Sequence, residues 1–187
     1  PQEGKTATLV NTAVSFAQLK KKVLMIDADM RKPRLHKVFG LNITNGLSSF
    51  LTGKINLDEA VKETKIENMF VMTSGPHPPN PVELMDTPNM KELINAAKER
   101  FDFVFIDTPP VLAVVDSTII SSIVDGTVFI IKIAKTTRKA YVNSIKALNK
   151  VNANIIGVVY NEMKVKGRGY YSAEQHGYLG TYYEEKR

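Results

Sequence analysis

Five side chains of this sequence have the types and spacing to do chemistry together: Lys5, Thr6, Asp27, Asp29 and Asp107. Gly4-Lys5-Thr6 ends a phosphate-binding loop pattern, G-x-x-x-x-G-K-[ST]. In such a loop, backbone N–H groups at a helix N-terminus meet phosphate oxygens. The lysine reaches the outer phosphates and the threonine hydroxyl ligates Mg²⁺. The apolar run Val23–Ile26 ends in Asp27-Ala28-Asp29-Met30-Arg31, and Phe103–Ile106 ends in Asp107-Thr108-Pro109-Pro110. Strand-end carboxylates beside a phosphate cradle can hold Mg²⁺ and leave one carboxylate free to take a proton. Alone, Gly-Lys-Thr is equally a capped helix start, and a strand-terminal aspartate is often only a turn former. Their conjunction in one pattern points to a nucleotide-using protein.

Positioning those groups requires strands that end together. Apolar runs at Val23–Ile26, Met69–Met72, Phe103–Ile106, Val128–Ile133 and Ile155–Tyr160 have strand length and β-branched character. Helical stripes lie between them: Leu9, Val10, Ala13, Val14 and Ala17; then Met90, Leu93, Ile94 and Ala97; then Tyr141, Ile145 and Leu148. Shorter helical pieces are expected at Gly46–Leu51 and Leu57–Val61, and Asn80-Pro81 is expected to open a helix at Val82. Alternating strand and helix predicts an α/β fold, a mostly parallel central sheet flanked by helices on both faces. Ligands then bind at the carboxyl ends of the strands, where Asp27, Asp107 and Asn161 fall.

The chain has 187 residues, 43% of them hydrophobic and 24% charged, which suits one full core. It contains no cysteine, which excludes a disulfide framework, a thiol nucleophile and a cysteine-based zinc site. No apolar segment approaches the roughly 20 residues that span a bilayer, and no signal-peptide pattern is present. Pro1 falls inside the phosphate-loop pattern, so the chain is expected to be trimmed upstream, where an anchor or oligomerising segment would be invisible. The net charge of +6 comes without a nucleic-acid module, and no nucleic-acid partner is expected. Lys20-Lys21-Lys22 is read as favouring a helix C-terminal dipole. His36, His77 and His176 lack metal-ligand spacing and are read as surface residues. Ser48 and Ser49 lack a His/Asp arrangement, so no hydrolase triad is expected.

Two domains of behaviour follow: residues 1–161 as the folded unit, and residues 162–187 as a flexible tail. The apolar periodicity stops after Asn161, and four glycines and several charges follow. Five of the seven tyrosines, Tyr170, Tyr171, Tyr178, Tyr182 and Tyr183, fall within fourteen residues of that tail. Even spacing would place roughly half of one there. Either the rings pack on a final strand or a partner, or they are a substrate segment.

Val23–Pro33 resembles the Walker A′ motif of the bacterial tyrosine kinases of capsule and exopolysaccharide synthesis, P-loop enzymes akin to septum-site and plasmid-partition ATPases. The resemblance extends to Gly75-Pro76, Pro79-Asn80-Pro81-Val82-Glu83-Leu84, Phe101–Leu112 with Asp116, and Asp125-Gly126. It implies a deviant Walker A P-loop fold, ATP and Mg²⁺ as cofactors, and a protein-tyrosine kinase that phosphorylates its own tyrosine cluster in trans. Gly4, Lys5, Thr6 and Ala7 would cradle the nucleotide and Asn161 would read the adenine edge, unless it only forms a turn. Thr6 would ligate the metal, with Asp29 and Asp107, and by extension Asp27, around it. Asp27 would orient the incoming tyrosine as base, in a role exchangeable with that of Asp29. Arg31 is either a contact to phosphate or acidic substrate, or a structural ion pair. Further implications are self-association through the tyrosine tail as a homo-oligomer, a membrane adaptor of the polysaccharide co-polymerase type, a cognate tyrosine phosphatase, and a cytoplasmic place at the inner face of the plasma membrane. The competing readings are a partition-type ATPase and a non-catalytic nucleotide-binding regulator.

Overall fold

The computed structural model describes residues 3–133 and 135–162. Its elements in chain order are α1 (Lys5–Gln18), β1 (Val23–Asp27), α2 (Leu35–Phe39), α3 (Leu47–Leu51), α4 (Leu57–Ala60), β2 (Val61–Glu63), β3 (Met69–Met72), α5 (Pro81–Met85), α6 (Pro88–Arg100), β4 (Phe103–Asp107), α7 (Asp116–Ser121), β5 (Thr127–Lys132), α8 (Arg138–Lys150) and β6 (Ile155–Asn161). The tail, with its five tyrosines and His176, lies outside the described residues.

β1 is apolar on both faces because both faces are covered, as a central parallel strand requires. Its alternation sends Leu24 and Ile26 into one core with α3, α5, α6 and α7, and Val23 and Met25 into a second core with α1. The α1 stripe buries Ala13 and Ala17, while Phe16 rests on Phe103 and Phe105 with ring centroids 4.2 and 5.8 Å apart. In α6, Pro88 starts the helix and Met90, Leu93, Ile94 and Ala97 form the expected buried stripe. α8 begins where the Thr137 side chain accepts a hydrogen bond from the Ala140 N–H.

β1 is hydrogen-bonded in parallel to β3 on one side and to β4 on the other, and the β4 register runs from Val23↔Phe103 to Asp27↔Asp107. The expected mostly parallel sheet with helices on both faces is present, its strands forming two ladders among the described residues, β2-β3-β1-β4 and β5-β6, with only the β2–β3 pair antiparallel. Two details depart from expectation. The helix predicted through Val61 stops at Ala60, because Val61 pairs antiparallel with Met72 and opens the edge strand β2. The ammonium of Lys22 lies over the rings of Phe70 and Phe101, at 5.5 and 5.4 Å from their centroids, rather than at a helix terminus.

Asp27 organises the turn that leaves β1. It is fully buried, and its two oxygens accept the backbone N–H groups of Asp29 at 3.3 Å and of Arg34 and Leu35 at 2.9 Å each. The carboxylate thereby satisfies backbone donors where α2 begins. Burial pushes its pKa up to about 6, against the opposing pull of the Leu35 and Arg34 N–H groups, with the charge of Asp107 adding to the rise.

Two outcomes follow. Leu24→Ala, which empties a fully buried site beneath α6, should cost about 2–5 kcal/mol of unfolding free energy in a urea titration. The raised Asp27 pKa means that the folded chain binds a proton the unfolded chain has already lost. This contribution to stability is therefore complete below about pH 4 and is lost as pH rises through about 6. In EDTA, Asp27→Asn should flatten that decline by on the order of 3 kcal/mol relative to the parent.

Candidate active site

The carboxyl ends of β1 and β4 and the first turn of α1 enclose a cavity of about 430 Å³. Its wall includes Gly4, Lys5, Thr6, Ala7, Asp29 and Asp107. Gly4 opens α1 at φ +83°, a left-handed conformation that glycine adopts without strain, and a Cβ there would lie 1.8 Å from the Asn161 amide nitrogen. That geometry turns the first N–H groups of a fourteen-residue helix toward the cavity.

Thr6 joins the two halves of the site. Its hydroxyl donates to Asp107 Oδ2 at 2.6 Å across 101 residues of sequence. Burial raises the Asp107 pKa, while the Thr6 hydrogen bond and the positive charge of Lys5 pull it down. Lys5 Nζ lies 3.6 Å from Glu3 Oε2, a partner that an anionic ligand can replace at a half-buried ammonium. Thr6 and Asp107 offer hard oxygen donors on one side and Asp29 on another. That donor set fits Mg²⁺, which keeps waters and takes its remaining ligands from phosphates. Among the described residues no group of three or more His, Asp or Glu side chains forms a metal cage.

Two expected contacts lie elsewhere. Asp27 does not line the cavity: it is buried at the end of β1 with both oxygens engaged by backbone N–H groups, so it is badly placed to meet either a metal or a tyrosine directly. Asn161 also lies off the cavity wall; its Nδ2 donates to the Glu3 carbonyl at 2.9 Å, fixing the approach to Gly4. Both readings proposed for Arg31 have a basis. Its Nε meets the buried Asp116 Oδ2 at 3.4 Å, and the side chain also lines the cavity.

Other side chains enter the site without having been singled out for it. Lys32 and Arg34 line it, as do Pro109 and Pro110 of the Asp107-Thr108-Pro109-Pro110 run. His77 donates from Nδ1 to the Met30 carbonyl at 2.7 Å, tying the proline-rich loop to the β1 turn. His36 is half-buried rather than a surface residue, and its Nδ1 has no hydrogen-bond partner. Ser48 is buried and donates to the Pro76 carbonyl at 2.7 Å, a structural task. Buried loop-to-loop hydrogen bonds of this kind leave no periodic signal in a sequence.

Comparison with known proteins gives one family. Residues 3–156 match the family described as an AAA domain. Tyrosine-protein kinase YwqD of Bacillus subtilis (strain 168) is 42% identical over 181 residues, covering 97% of this chain and 74% of the relative. A putative tyrosine-protein kinase CapB of Staphylococcus aureus is 37% identical, covering 90% and 74%. Among solved structures, the kinase domain of the Escherichia coli tyrosine kinase ETK superposes with a TM-score of 0.86 at 33% identity, covering 92% of this chain and 68% of that one. With its strand-end aspartates, its Gly-Lys-Thr helix start and these relatives, the chain belongs to the bacterial tyrosine kinases of the P-loop NTPase fold.

Proposed function

We propose that this chain is an ATP- and Mg²⁺-dependent protein-tyrosine kinase that phosphorylates the tyrosine cluster of a second copy of itself. The observation that carries the proposal is the convergence of Lys5, Thr6, Asp29 and Asp107 on one cavity, in a chain that ends in five clustered tyrosines.

Bound Mg²⁺–ATP would supply the phosphoryl group and neutralise charge as it transfers. The chain's own groups do the rest. The Lys5 ammonium and the first N–H groups of α1 draw in and orient the phosphates. Thr6, whose hydroxyl is hydrogen-bonded to Asp107 at 2.6 Å, would ligate Mg²⁺ directly, with Asp107 orienting that hydroxyl and supplying negative charge beside the ion. Asp29 is the carboxylate of the β1 turn that faces the cavity, which favours it over Asp27 as the base that orients the tyrosine and takes its proton. A phenol with a pKa near 10 needs only modest assistance of this kind. Asp27 serves by fixing the backbone that carries Asp29.

The same proposal takes residues 1–161 as the kinase unit and Tyr170, Tyr171, Tyr178, Tyr182 and Tyr183 as acceptors, with homo-oligomerisation through the tail. It also includes control of capsular or extracellular polysaccharide synthesis, a membrane adaptor that recruits the kinase to the inner face of the plasma membrane, and a phosphatase that resets it. Each phosphotyrosine adds about −1.5 to −2 charges. Phosphates clustered on the tail would then repel one another, so the unphosphorylated form should assemble more readily.

Full-length protein given ATP and Mg²⁺ should react on a phosphotyrosine blot, with the label mapping to the tail. Lys5→Met should lower the initial labelling rate on the order of 10²–10³-fold. Changing all five tail tyrosines to Phe should abolish self-labelling while the affinity for a fluorescent ATP analogue stays unchanged. Nucleotide hydrolysis without any phosphotyrosine would overturn the kinase reading in favour of a partition-type ATPase.

A further inference from the structure

Three cations stand within four residues of the β1 turn: Arg31, Lys32 and Arg34, all exposed and all on the wall of the same cavity. The turn that carries them is held from several sides. Asp27 binds the Arg34 N–H, Asp29 Oδ1 accepts the Lys32 N–H at 2.9 Å, and His77 holds the Met30 carbonyl. Arg31 is aimed by Asp116, a fully buried carboxylate at the start of α7 whose Oδ2 lies 3.4 Å from Arg31 Nε while Oδ1 has no partner. A guanidinium bound through Nε to a buried anion keeps its terminal nitrogens for a second partner.

The carboxylates on the cavity wall form no ion pair with Lys32 or Arg34 among the described residues. Glu3 lies against Lys5 and Glu162 against Lys132, while Arg34 acts on Asp107 only at longer range. The mouth of the cavity therefore presents fixed cations with ion-pairing capacity to spare beside the carboxylate that meets the acceptor.

Resting on the kinase reading, we infer that Arg31, Lys32 and Arg34 select acceptor tyrosines with a carboxylate one or two residues on, so that Tyr182 and Tyr183 of a second copy are phosphorylated before Tyr170, Tyr171 and Tyr178. The chain's own sequence supplies the contrast. Tyr182-Tyr183 runs directly into the paired Glu184-Glu185, whereas Tyr170-Tyr171 follows Lys164, Lys166 and Arg168 and meets a single carboxylate, Glu174, only after Ser172-Ala173, and Tyr178 precedes Leu179-Gly180-Thr181. Residues one and two positions beyond a tyrosine lie within about 7 Å of it in an extended chain. With Asp29 and Lys32 joined in one turn, a phenol at Asp29 brings those carboxylates among the cations. Lys186 and Arg187 follow Glu185, so in sequence the two carboxylates stand between the acceptors and those cations. Asp116 is a positioning residue in this scheme.

The test is initial-rate phosphosite mapping by mass spectrometry on full-length protein with ATP and Mg²⁺, read as the ratio of label at Tyr182 plus Tyr183 to that at Tyr170 plus Tyr171. Parent protein should favour the terminal pair about tenfold, the scale of two or three exposed charge pairs. The double change Glu184→Gln with Glu185→Gln should bring the ratio close to one. So should Lys32→Ala with Arg34→Ala, and Asp116→Asn should lower it part of the way. Should the Lys32/Arg34 or Asp116 variants fail to fold, the Glu184/Glu185 change lies in the tail and still decides the matter. A ratio near one in the parent, or a ratio unmoved by the tail change, overturns the inference and leaves the kinase reading standing. Parent protein that labels no tyrosine overturns both.

Discussion

In a parallel ladder, paired residues leave the sheet at the same end, and β1 is paired with β4 down to Asp27↔Asp107. That register decides where the chemistry can be. A slip of one residue would turn Asp107 to the other face and separate it from Thr6. The apolar content of both strands enforces the register, because Leu24 and Ile26 must enter one core while Val23 and Met25 enter the other. Hydrophobic alternation thus fixes a carboxylate to within hydrogen-bonding distance of a hydroxyl at the far end of the sequence.

The three strand-end aspartates then separate by environment rather than by kind. Asp27 is buried and surrounded by backbone donors, so it shapes the turn. Asp107 is buried beside a hydroxyl and an ammonium, which oppose the rise in its pKa that burial causes. Asp29 is half-buried and faces the cavity, where solvent and substrate can reach it. Lys5 offsets the crowding of negative charge from one side and the β1-turn cations from the other.

Much of this was legible in the residues themselves. Apolar runs of strand length separated by amphipathic stripes carry their period openly, so β1, β3, β4, α1 and α6 were foreseeable, as were Lys5, Thr6, Asp29 and Asp107 at one end of the sheet. Less could be read where long-range geometry decides. Asp27 and Asp29 are two residues apart in a turn, and nothing local says which oxygen finds backbone and which finds the cavity. Val61 is a helix former or a strand former according to whether Met72 is alongside. Asn161 was correctly sited at a strand end, but its amide is claimed by the Glu3 carbonyl. Asp116 resembles any helix-starting aspartate until Arg31 is brought to it across 85 residues.

The Thr6–Asp107 hydrogen bond joins α1 to the end of β4 across 101 residues, so the cavity it closes exists only after the sheet has assembled around β1. Local contacts come first in folding, and a link between such remote segments carries the entropy of a long loop. An unfolded chain accordingly offers a nucleotide nothing comparable to grip. Ligand added to a refolding mixture would therefore deepen the final basin, slowing escape from it, while leaving the time needed to reach it largely untouched.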